Sequence, residues 1–455
     1  MRLRIAPLII GVVALAGLLG GAPVGADGSE ATNAGKPQIG EPPTSQTSPF
    51  QSALLDAVAT PRVDRAGALA PHMEIDNASR NSVRNAYNQW FLKDIVVPAG
   101  WNGNRSTCTP GMPSTAGQNA TLSMVNYFRE MVGVEPARFD AGLSVKAQKA
   151  ALIMDANSSL SHYPPSNWAC WSEEGAEAAG NSNLALGAAG ADAVSLYMED
   201  PGWNNTSVGH RRWVTSPDRT LMGAGSTNDA NALWVLSEPD EAAYVPTIIA
   251  WPTAGYFPSP LEPRGRWSLT IPGADFFGPD PFANVSVSVR ETTGTAHDVT
   301  IVDSSSGYGM GATIVFEVKN IKLAKGHADT TFRVTLTGLD SPGFPSTYTY
   351  YVTMIDPATT PLANGVYGAV EGISLSGNKV KFYGKAKGVG TQPTVVISRN
   401  GKTLGTLVAT RPRLDDMKGW QYEASISAGT YKYCAHFANP SAPGGWTVDC
   451  RTVVK

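Results

Sequence analysis

Two histidines and a few acids are the residues of this chain best suited to chemistry. His162 stands in Leu160-Ser161-His162-Tyr163-Pro164-Pro165, and His210 in Gly209-His210-Arg211-Arg212-Trp213. Two neutral imidazoles with a carboxylate suit zinc or another divalent transition metal, because ring nitrogens are good ligands and the carboxylate adds charge or orients a bound water. With one coordination position open, such a site polarises that water. Spacing alone does not build the site. There is no His-x-x-x-His turn and no HExxH motif, and isolated histidines are more often hydrogen-bonded structural residues. Glu199 and Asp200 are the acids just ahead of His210. Glu173, Glu174 and Glu177, near Cys170, read as a solvated acidic face. Arg129, Arg211 and Arg212 read as surface or carboxylate-paired cations rather than an anion site. Trp203 and Trp213 flank the second histidine and read as core packing before groove lining.

Other catalytic signatures are missing. The chain has no Gly-x-Ser-x-Gly elbow, P-loop, dinucleotide fingerprint or EF-hand loop. These residues assign no catalytic activity.

The histidines are far apart in sequence, so folded elements must bring them together. Leu122, Val125, Phe128 and Val132 share one helical face, and Gly133 follows as a stop. Ser144 is a candidate cap for a second helix with Ala147, Ala151 and Met154 inward. That helix ends near Asn157 to Ser159 and leaves His162 just past its C-terminus. Gly180 to Leu186 reads as a small-residue loop entering a third helix, lined by Ala191, Val194 and Met198 and ended by Pro201. Short strands follow at Leu221 to Ala224 and Leu233 to Leu236.

From about residue 245 the pattern becomes alternating. Val285 to Val289, Phe332 to Thr337 and Thr347 to Met354 read as strands, and Asp356 to Pro361 as a linker. Lys379 to Tyr383, Thr394 to Ser398, Tyr431 to His436 and Trp446 to Val454 form a second set. Asn400-Gly401 is a hairpin turn.

Composition bounds the setting. A formal net charge of -3 with no basic domain argues against a nucleic-acid partner. A charged fraction of 16%, with 47 Gly and 33 Pro, suits a loop-rich extracellular chain. Arg2 and Arg4, the apolar Ile5 to Leu19 and the small Val24-Gly25-Ala26 read as an export signal over 1–26. No later stretch reaches the roughly 20 apolar residues of a membrane span. Residues 27–74 read as a flexible linker. The four cysteines, Cys108, Cys170, Cys434 and Cys450, suggest two bridges in an oxidising compartment. The local pairing Cys108–Cys170 and Cys434–Cys450 keeps each bridge within one candidate domain. No sortase-type tail is visible at Val453-Val454-Lys455.

The ordered phrases between about residues 75 and 240 resemble the CAP superfamily (cysteine-rich secretory, antigen 5 and pathogenesis-related proteins) in a bacterial form. Asn126-Tyr127-Phe128-Arg129 is similar to the family's first-helix Asn-x-x-Arg. Leu143 through Met154 is similar to its second helix, running into the Ser-His phrase. Ser182-Asn183-Leu184-Ala185 lies where the family has Glu-Asn-Ile-Ala. Gly209-His210 matches its Gly-His phrase, and Leu221-Met222-Gly223-Ala224-Gly225 its glycine-bearing strand. The resemblance implies a cleft containing His162 and His210, with Glu199 as the acid before the second histidine, or Asp200 after a one-residue slip. Ser182 takes the place of the other acid, and a hydroxyl cannot act as a general base at neutral pH. Residues 362–455 resemble immunoglobulin-like modules of secreted actinobacterial proteins, through Arg411-Pro412-Arg413-Leu414-Asp415 and the paired cysteines.

These readings give an α+β chain: a CAP-type α-β-α sandwich over 75–244, then β-sandwich domains over 245–356 and 362–455. The expected function is that of a secreted protein, extracellular or loosely wall-associated. It would bind a lipid or cell-envelope polymer at a cleft of His162, Ser182, Glu199 and His210, with a divalent metal such as zinc on the two histidines. A metal-dependent hydrolase or peptidase, and an adhesion protein acting through its β domains, are the alternatives.

Overall fold

The glycine-bearing strand and the helix before His162 set the frame of the first section. In the computed structural model, residues 37–44, 74–274, 280–326, 328–359, 365–389, 391–413, 417–438 and 446–455 are described. The expected export signal lies outside them, as does most of the expected linker.

Strand β1 (Gln38–Ile39) comes first, followed by the helical stretch α1 (Arg80–Ala86), a wide π-type turn Tyr87–Phe91 and α2 (Leu92–Ile95). Next come α3 (Thr115–Met131), β2 (Arg138–Phe139), α4 (Ala141–Asn157), α5 (Glu173–Gly180) and β3 (Ser182–Leu186). Helices α6 (Gly190–Glu199) and α7 (Gly209–Val214) and strands β4 (Leu221–Ser226) and β5 (Ala230–Trp234) complete this section. One sheet runs in the order β1-β3-β5-β4-β2, with β2 parallel to β4 and the other pairs antiparallel.

Strand alternation splits the core into two layers. Leu184, Ala232 and Trp234 pack with Ala147, Ala151 and Met154 of α4 on one face. Ala185, Leu233, Met222 and Ala224 pack with α3 and α6 on the other. Gly223 and Gly225 lie under α4. A Cβ at Gly225 would sit 2.1 Å from Gln148 N, so the helix rests on strand backbone.

Three local expectations change. Asp140, not Ser144, caps α4, accepting the Leu143 N–H at 2.9 Å. Ser144 instead bonds back to the Asp140 carbonyl and accepts from Ala224 N, tying helix to strand. Residues 182–186 are a strand rather than a loop, because neighbours on both sides supply the hydrogen bonds that small side chains do not advertise. Residues 37–44 are not a free linker: β1 pairs with β3 through backbone groups, which hydrophobic periodicity does not report.

The described residues that follow form four sheets. β6 (Ile249–Trp251), β7 (Gly255–Pro258), β8 (Arg266–Ile271), β9 (Ser286–Glu291), β10 (Ala296–His297), β11 (Val299–Ser305), β12 (Ala312–Val318), β13 (Thr330–Thr337) and β14 (Thr347–Ile355) make two of them. Their orders are β10-β9-β13-β14-β7 and β11-β12-β8-β6. Their buried residues join the α3/α6 layer in one cluster: Phe128 meets Trp251 edge-on at 5.6 Å, and Trp251 meets Phe257 at 4.8 Å. Arg80 also pairs with Asp329 at 2.8 Å. The last sheets use β15 (Gly365–Ser376), β16 (Lys379–Val389), β17 (Thr394–Arg399), β18 (Lys402–Val408), β19 (Lys418–Ser425), β20 (Thr430–Ala438) and β21 (Trp446–Val454). They enclose their own cluster around Phe382, Trp420, Tyr433 and Phe437. Asn400 and Gly401 both have positive φ in the β17–β18 turn. Both expected disulfides, Cys108–Cys170 and Cys434–Cys450, are present. No helix among the described residues is long and apolar enough to cross a membrane.

Candidate functional site

α4 delivers His162. The helix ends at Ser158 in the left-handed conformation (φ 46°), and the Ser159 N–H closes back on the Met154 carbonyl. The chain then turns through Leu160 and Ser161. The Cys108–Cys170 bridge and an Arg105–Asp155 ion pair at 3.1 Å hold this corner. His162 Nδ1 lies 2.6 Å from the carbonyl of Ala179, near the end of α5. Its Nε2 lies 2.6 Å from the carbonyl of Glu41. Burial lowers the His162 pKa from its usual value. The two carbonyls and Glu41 pull it upward, and His210 pushes it down further.

α6 delivers the acid. Asp200 caps that helix in the left-handed region (φ 52°), where Asp is better tolerated than most residues. This turn sends its fully buried side chain inward. His210 Nδ1 donates to Asp200 Oδ1 at 2.9 Å, and the Arg211 N–H donates to Oδ2 at 3.2 Å. Glu199 instead pairs with the exposed Arg264 at 2.6 Å. The acid beside the second histidine is therefore Asp200 and not Glu199.

α7 delivers His210, which is fully buried. Its ring stacks on Tyr197 with centroids 5.7 Å apart and planes 8° apart. Asn183 Nδ2 donates to its carbonyl at 3.1 Å. With Asp200 accepting at Nδ1, the neutral ring carries its proton there and presents a lone pair at Nε2. That Nε2 is buried and has no hydrogen-bond partner among the described residues. Asn183 Oδ1 and Ser182 Oγ share this condition. Asn183 reaches the His210 side of the sheet, whereas Ser182 alternates with it and shares the face of Leu184.

The donor set does not fit a resident metal in this arrangement. Both ring nitrogens of His162 face backbone carbonyls, Asp200 is engaged by His210 and Arg211, and Ser182 alternates away from Asn183, which reaches His210. Among the described residues, no group of three or more His, Cys, Asp or Glu is placed to hold an ion.

The arginines are neither surface cations nor an anion site. Arg129 donates to the carbonyls of Glu135, Val214 and Ser216. Arg211 reaches Met198 O, Arg266 O and Ser268 Oγ, and Arg212 reaches Ser305 and Gly311 O. Burial lowers each guanidinium to about 10, with nearby acids opposing the shift. Through Arg211 and Arg212, α7 is fastened to the β-rich section. Trp213 is in the core and Trp203 stands exposed. Glu177 and Glu174 pair with Lys146 and Lys149 on the surface. A cavity of about 430 Å³ opens beside the Cys108–Cys170 bridge, lined by Lys149, Trp168 and Trp171 among others, and neither histidine lines it.

Sequence reasoning missed Glu41, Pro42, Pro43 and Tyr308. Pro43 O accepts the Trp213 indole N–H at 2.7 Å. A Cβ on Gly209 would lie 2.3 Å from Pro42 Cγ and 2.8 Å from Tyr308 Cγ. Glu41 and Pro43 contribute backbone carbonyls, which no residue type signals. The adjacent prolines are the one visible cue.

Residues 122–236 match the family model of the CAP, cysteine-rich secretory protein family, so the chain contains a CAP domain. No curated protein matches the chain. Two solved structures are similar in part. A pullulanase complexed with maltotriose from Anoxybacillus sp. LM18-11 is 13% identical, with 41% of this chain and 24% of that chain covered and a TM-score of 0.15. A chimeric titin Z1Z2-Z1Z2 tandem, functionalised with a GRGDS peptide from fibronectin, is 14% identical, with 42% and 89% covered and a TM-score of 0.16. The match thus spans about a quarter of the pullulanase, and neither likeness bears on function.

Proposed function

We propose that this chain is a secreted CAP-domain protein that binds a lipid or cell-surface polymer at the cleft beside His162 and His210, with the later sheets paired as sandwich modules. The observation that carries the reading is the state of His210. Its ring is oriented by Asp200 and stacked on Tyr197, yet its buried Nε2 has no hydrogen-bond partner among the described residues. An unsatisfied buried polar atom costs about 1–3 kcal/mol, so a group that donates a hydrogen bond to this lone pair would be favoured there. Two disulfides support an oxidising, extracellular setting.

The test is co-sedimentation of the full chain with lipid vesicles and with purified wall polymer, beside His162→Gln and His210→Gln variants. Retention of the wild type that both variants lose supports the reading. Retention unchanged by both variants refutes it.

The Asp200–His210 pair favours a second reading, hydrolysis with His210 Nε2 as general base, because a carboxylate at Nδ1 fixes the ring in that role. Turnover across a broad ester and peptide panel that disappears in His210→Gln would favour it over simple binding.

A further inference from the structure

Residues 37–44 run as a strap over the elements that carry the two histidines, touching β3, the His162 turn and α7. Gln38 and Ile39 pair antiparallel with Leu186 and Ala185 of β3. Gly40 passes Leu160, in the turn that leads to His162; a Cβ there would lie 3.6 Å from Leu160 Cβ. The Glu41 carbonyl meets His162 Nε2 at 2.6 Å. Pro42 and Pro43 are buried while their neighbours Glu41 and Thr44 are exposed. Pro42 seats over Gly209, where only the absence of a Cβ permits the approach, and Tyr308 closes on the same point. The Tyr308 ring is held by a hydrogen bond to Ser207 and by the Arg212 guanidinium 5.5 Å above it. Pro43 then presents its carbonyl to the Trp213 indole at 2.7 Å.

This is recognition by chemistry rather than general packing. One edge adds a short strand to a sheet. The other sets two prolines in an aromatic-flanked groove and reads a carbonyl through an indole N–H. Both devices recur where proteins bind extended peptides. Proline suits the second device because it has no N–H left to satisfy.

We infer that the histidine cleft is a groove for an extended, proline-containing peptide, and that residues 38–43 are its occupant in cis, which any external ligand must displace. The inference rests on the cleft reading above, and it assigns that cleft a ligand class and a built-in competitor. Strap and groove belong to one chain, and at an effective concentration on the order of 1 mM a trans affinity of about 10 µM would leave the cleft closed in about 99% of molecules.

The test uses the full chain. In one variant Gln38 to Pro43 is replaced by six Gly/Ser residues. In a second, milder variant Pro42 and Pro43 become Ser. A synthetic peptide of residues 37–44 is titrated into each variant and into the wild type by calorimetry, with the Trp213 indole N–H signal followed by NMR. We expect the variants to bind one peptide each, with the Trp213 signal shifted, and the wild type to bind at least about tenfold more weakly because its own strap competes. A peptide with Ala at the two proline positions should lose at least about tenfold in affinity for the variants. If either folded variant fails to bind peptide up to about 1 mM, the effective concentration of the linked strap, the inference is overturned. Equal binding by wild type and variants also overturns it. Vesicle and wall-polymer retention, measured on the same variants, reports separately on the cleft reading. Retention without peptide binding sinks the peptide groove alone, and peptide binding without retention sinks only the lipid or polymer assignment.

Discussion

Removing the Asp200 carboxylate should damage the CAP domain far more than removing the carboxylate beside it. Asp200 is fully buried and accepts from His210 Nδ1 and from the Arg211 N–H. Asp200→Ala strands both donors in a buried site. Each stranded donor costs about 1–3 kcal/mol, giving about 2–6 kcal/mol for the pair. The left-handed backbone at φ 52° adds a further penalty for Ala. Asp200→Asn tolerates that backbone and keeps one acceptor, so it strands a single donor and costs about 1–3 kcal/mol. Glu199 pairs with Arg264, whose side chain is 80% exposed, and such pairs contribute about 0–1 kcal/mol. The expected order of destabilisation is therefore Asp200→Ala, then Asp200→Asn, then Glu199→Gln. Urea titrations followed by far-UV circular dichroism at 222 nm, which weights the helices of the CAP domain, would measure it. Near-UV signals from Trp213 and Trp251 would show whether the same transition is being read. If Glu199→Gln cost as much as Asp200→Asn, the assignment of the buried acid would be refuted.

Two further predictions concern the frame around the site. Gly225→Ala would drive a Cβ to 2.1 Å from Gln148 N, so it should cost at least about 2 kcal/mol, whereas Gly405→Ala, with nothing within 4 Å, should shift the urea midpoint little. Burial lowers the His162 pKa in the folded chain, so its contribution to stability is present above the unfolded value of 6.5 and is lost as pH falls from there through the lower folded value. The urea midpoint of the wild type should accordingly drop more between pH 7.5 and pH 5 than that of His162→Gln. An equal drop would show that His162 does not titrate in this sense.

Much of the frame was legible because it is periodic. Leu122, Val125 and Phe128 mark α3, and Gly133 follows its end. Ala147, Ala151 and Met154 mark α4, and its end near Asn157 follows from the loss of that pattern. Alternating Val, Thr and Tyr found β9, β13 and β14 with small boundary errors. Where periodicity was absent, the reading failed. Ser182 to Leu186 is small and mixed, and becomes a strand only because β1 and β5 lie on either side. Ser144 has the chemistry of a cap, but Asp140 has it too and precedes the helix by the right distance.

The amino-acid types alone determined which groups are available: two histidines in the Ser-His and Gly-His phrases, adjacent acids before the second, and cysteines that pair locally. Tertiary structure decided which of them meet. Glu199 and Asp200 are one residue apart, and a helical face cannot distinguish them when the second leaves the helix in a left-handed turn that swings its side chain inward. Likewise, nothing in Gly40-Glu41-Pro42-Pro43 announces contact with His162 and Trp213, because two of those contacts run through main-chain carbonyls that every residue carries. Side-chain chemistry is written in the sequence, whereas the position of a backbone carbonyl exists only once the chain has folded.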